Sequence, residues 1–189
     1  MIELPVGVVP SEMEVLSLDQ GGVVRGASSL RIDRPGTRYA IGFTFPPCAK
    51  AKVARIVRAK REGIRVHLPL KVPQGSPGTP VVDGAGQSGT SLDVRGFTPG
   101  YFAKEDYWLT IVDASGNGYL HQVVETVGAD GSGEATLSIE PPLRAPFADG
   151  ATIEFAKPYI EGFIDGEDWG WNTPTNWLVS VGFVVEEYE

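Results

Sequence analysis

Two histidines and one cysteine are the side chains of this sequence that most often serve as nucleophiles, general bases at neutral pH or soft metal ligands. His67 and His121 each fall in an alternating apolar pattern, in which a half-buried strand histidine is the ordinary interpretation. Cys48 has basic residues near it, but no motif supplies a partner base. A single cysteine also excludes an intrachain disulfide and a thiolate metal cluster. We therefore predict no catalytic residue, no metal site and no cofactor.

Two acidic stretches resemble binding sites more closely than the histidines and the cysteine do. Asp113-Ala-Ser-Gly-Asn-Gly matches the first half of a calcium loop, but Val124 stands at the position that needs a bidentate glutamate, so we predict a hairpin turn. Glu167 and Asp168 lie among tryptophans, a combination that sugar-binding sites and glycosidases use. Adjacent residues do not hold two carboxyls across one glycosidic bond, about 5–9 Å apart, so we predict no enzyme. We interpret the aromatic residues as interface anchors. They are Trp169, Trp171 and Trp177.

Positive charge is concentrated in one stretch of the chain. The 16 residues from Lys50 to Arg65 hold 7 of the 16 lysines and arginines and one acid, so this stretch carries +6 and the remainder of the chain −14. Apolar residues recur in it at helical spacing, which predicts an amphipathic helix over about 48–62 that ends at Gly63. We expect its basic face to dock against an acidic neighbour. The candidate interface residues are Lys52, Arg55, Arg58 and Arg61.

The remaining sequence is typical of short β-strands joined by turns. Glycine (24) and proline (15) make up about a fifth of the 189 residues, and Asn-Gly and Asp-Gly turns separate evenly spaced apolar runs. Tyr39–Phe45 alternates apolar with small or polar residues, and Pro46-Pro47 is expected to end that strand. We predict a mainly β fold, an antiparallel β-sandwich or barrel with one amphipathic α-helix.

The organisation along the chain divides at a stretch rich in proline and glycine. We predict an N-terminal β segment with the basic helix over 1–72, a linker or long loop over 73–89, and a C-terminal antiparallel barrel or sandwich over 90–189. The net charge of −8 argues against specific nucleic-acid binding. We also expect no signal peptide and no membrane span, because no basic start precedes an apolar run and no run approaches 18 apolar residues.

The order of several turn signatures resembles a known family. Asp83-Gly-Ala-Gly-Gln-Ser-Gly-Thr is followed by Gly96-Phe-Thr-Pro-Gly, by Tyr107-Trp-Leu-Thr-Ile and by Ala129-Asp-Gly-Ser-Gly-Glu-Ala-Thr-Leu, and the series closes with Pro141-Pro-Leu-Arg and Ala148-Asp-Gly. In this order they resemble the distal-tail (tail-tip or baseplate hub) proteins of long, non-contractile-tailed bacteriophages. The Arg34–Tyr39 stretch is similar to the same proteins more loosely.

The resemblance implies a structural protein of the phage virion, made in the host cytoplasm. It implies a homo-oligomeric ring, which we expect to be hexameric, that joins the tail tube protein to the tail-tip or hub proteins. The resemblance carries no catalytic residues. The alternative from another class is a carbohydrate-binding module of a host-attachment apparatus, which would use the tryptophans around residue 170.

Overall fold

A computed structural model describes most of the chain. The described residues are 1–4, 9–18, 22–25, 29–32, 36–49, 58–59, 62–70, 72–165 and 178–188. Sixteen strands lie within them: β1 Ile2–Glu3, β2 Glu12–Leu18, β3 Gly22–Arg25, β4 Ser29–Ile32, β5 Arg38–Ala49, β6 Ile64–His67, β7 Gly78–Val82, β8 Gly89–Phe97, β9 Phe102–Ala103, β10 Trp108–Val112, β11 Gly118–Val123, β12 Val127–Gly128, β13 Ala135–Leu143, β14 Ile153–Glu154, β15 Tyr159–Ile164 and β16 Leu178–Glu187. The predicted mainly β class is confirmed.

The chain forms two compact units. One comprises residues 1–16, 39–71 and 159–189, and is called the sheet unit below. The other comprises residues 17–38 and 72–158, and is called the barrel unit. The first unit is therefore discontinuous, with the second inserted into it. This division differs from the segments 1–72, 73–89 and 90–189, because the C-terminal strands β15 and β16 pair with N-terminal strands and not with the barrel.

The sheet unit contains six strands in the order β1-β6-β15-β16-β5-β2. All neighbours with a described register are antiparallel except β1 and β6, which run parallel. One face of β5 and β16 is apolar, and Phe45 stacks there on Phe183 with ring centroids 5.2 Å apart. Its buried residues are Tyr39, Ile41, Phe43, Phe45, Val181, Phe183 and Val185. That alternation of buried and open residues is what the sequence of β5 predicts.

The barrel unit closes on itself. Its six strands follow the order β14-β10-β11-β13-β8-β7, and the two ends meet because the Val82 amide donates to the Ala151 carbonyl and the Gly150 amide donates to the Val82 carbonyl, both at 2.9 Å. The interior is filled by apolar side chains from every strand. Phe155 contacts three aromatic rings, those of Phe97, Tyr101 and Tyr107. The closure leaves these strands few free hydrogen-bonding groups.

Strand β7 lies inside the stretch predicted as a linker. Residues 78–82 pair with β8, and the prolines and glycines around them form the approaches to the strand. Pro80 is compatible with this position because the register of β7 and β8 shifts between Gly78 and Val81, which leaves no ladder hydrogen bond for the missing amide to make.

The predicted helix over 48–62 is not shown. Cys48 and Ala49 belong to β5, which continues through Pro46-Pro47 to pair with Val179 and Leu178 of β16 across a register shift. The expectation that these prolines end the strand is therefore wrong; an irregular register accommodates them. Arg58, Ala59 and Glu62 are helical, and the Gly63 amide donates to the Ala59 carbonyl at 2.9 Å. Residues 50–57, 60 and 61 lie outside the described residues.

Candidate assembly surface

Among the described residues, strand β2 stands at one end of the strand order of the sheet unit. Val15 is 39% exposed and Leu16 is 43% exposed. Because adjacent residues of a strand point to opposite faces, each face of β2 presents a partly exposed apolar side chain. The strand begins beside Ser11, whose amide and hydroxyl both donate to the Thr44 carbonyl, at 2.8 and 2.9 Å. The structure therefore holds a strand of mixed apolar and acidic residues at the margin of a sheet.

A depression of about 600 Å³ crosses the sheet face next to β2. Gly42 of β5 and Gly182 of β16 lie on its floor, so two neighbouring strands present bare backbone there. Glu12 and Glu14 of β2 stand along one side. Glu14 leans over the floor, since its Oε2 lies 3.8 Å from the position that a Cβ on Gly42 would take. The result is a glycine-floored trough, lined by Glu12, Glu14, Gly42, Thr44, Gly182 and Val184, with carboxylates on its rim.

A half-buried ion pair lies on the same face near the opposite margin of the sheet. Arg65 donates from Nε and Nη2 to Glu161 Oε2, at 3.0 and 2.8 Å, and its guanidinium lies 4.3 Å from the centre of the Tyr159 ring. Burial alone would lower the pKa of Arg65, but the hydrogen bond to Glu161 and the negative charge around it raise the pKa overall. Beyond this pair Phe163, 50% exposed, meets the Tyr188 ring edge-on at 4.6 Å.

Two turns that each begin at an aspartate are closed by hydrogen bonds from their own backbone. Asp113 Oδ1 accepts the amides of Ser115 and Asn117, both at 2.8 Å, and Asp130 Oδ1 accepts those of Ser132 and Glu134 at 2.8 and 2.9 Å. Hydrogen bonds from its own turn lower the pKa of Asp130. These contacts fit the predicted hairpin turn at Asp113, because they use the oxygen that a cation would need.

Two further polar side chains of the barrel unit hold its backbone together. Gln74 is buried, and its amide group bonds to the backbone of Trp108 and to the Phe155 carbonyl at 2.6–2.7 Å. Arg95 donates from Nη1 to Asp83 and Asp149, both at 2.5 Å, at the closure between β7 and β14. The hydrogen bond from Arg95 is the main reason that the pKa of Asp149 is lowered. Both side chains therefore hydrogen-bond to other residues of the barrel unit.

The two histidines occupy different environments. His121 is 0% exposed in the barrel interior, where its Nδ1 lies 2.8 Å from the Pro141 carbonyl oxygen. Burial is the main cause that lowers its pKa, to about 4. His67 lies on β6 with Nε2 3.6 Å from a Glu3 carboxylate oxygen and its ring edge-on to Tyr159. Neither histidine lies beside a nucleophile among the contacts described for it.

Of the seven interface residues predicted from the sequence, Arg58 alone falls within the described part of the chain, where it is exposed. The other six lie outside the described residues: Lys52, Arg55, Arg61, Trp169, Trp171 and Trp177. The carboxylates Glu12 and Glu14 and the glycines of the trough were not singled out from the sequence. A signal for them existed, since a strand glycine commonly marks close approach of another backbone or ligand.

Within the described residues, no group of three or more histidine, cysteine, aspartate or glutamate side chains is arranged to hold a metal ion. None of the helical segments in the described part is long and apolar enough to cross a membrane.

Comparison with known proteins adds no family. A scan against protein-family models and a search of curated proteins each return no match for this chain.

Proposed function

We propose that the chain is a non-catalytic structural subunit of a bacteriophage tail, which forms a homo-oligomeric ring between the tail tube and the tip. The observation that carries the proposal is strand β2, which lies at a sheet margin among the described residues and presents a partly exposed apolar side chain on each face. Such strands are generally protected in monomeric proteins, because they template pairing with another chain. The ordered series of turn signatures, from Asp83 to Gly150, adds the resemblance to distal-tail proteins.

The charge distribution supports assembly with copies of the same chain. The stretch from Lys50 to Arg65 carries +6 against −14 elsewhere, and Arg58 of that stretch is exposed. Opposite charges on two copies favour their association and orient it. A helix that begins after β5 and ends at Gly63, shorter than the one predicted over 48–62, remains part of this proposal as the form in which the basic residues are presented.

The ring is tested by imaging the purified chain in negative stain. We expect closed rings of uniform diameter with a central channel. The variant Arg55→Glu, Arg58→Glu, Arg61→Glu should form fewer rings than the parent, and its residual assembly should depend less on salt, because screened attraction is what those charges supply. Rings that persist unchanged in the triple variant, with the circular dichroism spectrum intact, would remove the charged stretch from the proposal.

The absence of catalysis is tested separately. The assembled protein is incubated with host cell-wall glycans and peptidoglycan, and released fragments are measured. We expect none. Release that disappears in the Glu167→Gln, Asp168→Asn variant would overturn the non-catalytic part of the proposal. Binding to the same glycans that Trp169→Ala or Trp171→Ala abolishes would instead favour the alternative, a carbohydrate-binding module.

A further inference from the structure

The trough beside β2 combines three properties that select a ligand. Its floor lacks side chains at Gly42 and Gly182, it runs across neighbouring strands, and its rim carries the carboxylates of Glu12 and Glu14. A floor of this kind accepts a thin apolar chain, and the rim accepts a cation at the end of it. Lysine and arginine have this form, because a methylene stem carries a charged head that bonds to carboxylates.

We propose that the trough receives the basic stretch Lys50–Arg61 of a second copy of this chain. The inference rests on the proposed self-assembly and names the surface that performs it. Lysine or arginine stems lie on the glycine floor, and their charged heads meet Glu12 and Glu14. The carboxylates therefore fix which segment of the neighbour binds.

Charge complementarity favours the basic stretch of the neighbouring copy over its tryptophan-rich stretch as the segment that binds in the trough. The stretch Lys50–Arg61 contains six basic residues and no acid, so it carries +6, whereas the tryptophan-rich stretch contains Asp165, Glu167 and Asp168 and would place acids against acids. Like charges brought together at an interface cost free energy, and opposite charges favour the pair. The basic stretch is therefore the occupant that the rim selects.

The arrangement is head-to-tail, because the trough and the basic stretch are different surfaces of the chain. Contacts of this kind repeat from one copy to the next and close into a ring when the rotation between copies allows it. The same contact between two copies related by a two-fold axis would need both surfaces to engage at once.

The experiment joins carboxylates to amines with a carbodiimide in a protein that is half ¹⁴N and half ¹⁵N, mixed before assembly. Mass spectrometry then shows whether Glu12 or Glu14 is linked to Lys50, Lys52 or Lys60, and whether the two peptides come from differently labelled copies. We expect these links in a mixed-label form, at the roughly one-half share that random mixing of copies gives for a contact between copies.

Gly182→Val fills the trough while both carboxylates remain. A Cβ at Gly182 would meet Phe43 O at 3.5 Å and Thr44 Oγ1 at 4.0 Å, which are ordinary contacts, so the substitution is compatible with the strand. We expect the mixed-label links to fall by roughly tenfold, because the stem loses its floor. Gly131→Val adds the same volume at a barrel-unit turn where nothing lies within 4 Å of the added Cβ, and should leave the links unchanged.

Other results would overturn the inference in distinguishable ways. Links found only within one label would mean that the chain's own basic stretch occupies the trough. An oligomer by light scattering with no link from Glu12 or Glu14, or with links that survive Gly182→Val, would reject this surface and leave the proposed assembly standing. A monomer under all conditions would reject the inference together with the assembly on which it rests.

Discussion

The barrel unit and the sheet unit each contain a six-stranded sheet, but they treat the margins of that sheet differently. In the barrel unit β7 and β14 meet, and Val82 exchanges backbone hydrogen bonds with the segment 150–151. In the sheet unit the order stops at β2, whose Val15 and Leu16 are exposed on opposite faces. In the barrel unit the marginal strands hydrogen-bond to each other. In the sheet unit β2 stands at the end of the strand order, where a strand of a neighbouring chain could pair with it.

The polar side chains along β2 differ from those described in the barrel unit. In the barrel unit the side chains of Gln74, Arg95, Asp113 and Asp130 bond to the unit's own backbone or to its own carboxylates. Along β2 of the sheet unit, Glu12 and Glu14 are exposed beside the trough. The polar side chains named in the barrel unit stabilise that unit. We therefore expect association at the acidic margin of the sheet unit, along Glu12 and Glu14.

The largest expected effect is a loss of stability in the closed unit. Phe155→Ala should lower the free energy of unfolding by about 3–5 kcal/mol, because the ring is buried among three aromatic neighbours and leaves a cavity. Urea unfolding followed by circular dichroism measures the change. Phe163→Ala, which removes the same ring from an exposed position of the sheet unit, is the control and should cost less than about 1 kcal/mol. Equal losses at the two positions would contradict the division.

Acid should destabilise the barrel through His121. The folded protein holds this residue neutral, with the pKa lowered from 6.5 to about 4 by burial, while the unfolded chain takes up the proton. The free energy of unfolding should therefore fall by about 3 kcal/mol as the pH drops from 6.5 to 4, and this contribution should level off below that range.

The His121 contribution is isolated by comparing variants, because carboxylates with lowered pKa, such as Asp130 and Asp149, add their own losses in acid. His121→Gln should flatten the dependence between pH 6.5 and 4. A slope that persists in His121→Gln would show that the burial of this residue is not its source.

A smaller loss of stability is expected at Gln74, whose side chain hydrogen-bonds to two segments of the barrel backbone. Gln74→Ala should lower the free energy of unfolding by about 2–3 kcal/mol, because the Trp108 amide and two carbonyls lose their partner inside the protein. Gln87→Ala removes a similar set of bonds from the exposed turn around Asp83 and should cost less than about 1 kcal/mol, since water replaces them. Thermal unfolding of the two variants side by side measures the difference, and a loss at Gln87 equal to that at Gln74 would count against it.

The smallest effect on stability should come from β2, where association is expected to respond instead. Val15→Ser and Leu16→Ser should each lower the free energy of unfolding of the dissociated chain by less than about 1 kcal/mol, because both side chains are already partly exposed. Together they should raise the concentration at which the chain assembles, as measured by light scattering over a dilution series. Assembly that ignores both substitutions would remove β2 from the interface.

Much of the fold could be predicted from the sequence because strand patterns are local. The alternation from Tyr39 to Phe45 and the turn at Asp113 both correspond to observed elements. The pairing of strands is not local, so the return of β15 and β16 to the N-terminal sheet could not be derived. Composition also misled the assignment at β7, where residues that resemble a linker form a barrel strand.

The candidate surface was harder to predict than the fold. Clustered basic residues are visible in a sequence, and Arg58 is indeed exposed. The trough depends on Gly42 and Gly182 lying on neighbouring strands, a relation that arises only when residues about 140 positions apart pair through β5 and β16. Glu12 and Glu14 could not be identified from the sequence, because nothing in their own segment distinguishes them from solvent-facing strand residues.

Assembly of the proposed closed ring can be measured by native mass spectrometry of the full chain. One copy has a mass of 20.2 kDa. We expect one dominant species with a fixed number of copies, six on the resemblance to distal-tail proteins, that persists over a wide range of concentration at low salt. A stable species at 20.2 kDa at high protein concentration, with no larger complex, would contradict it.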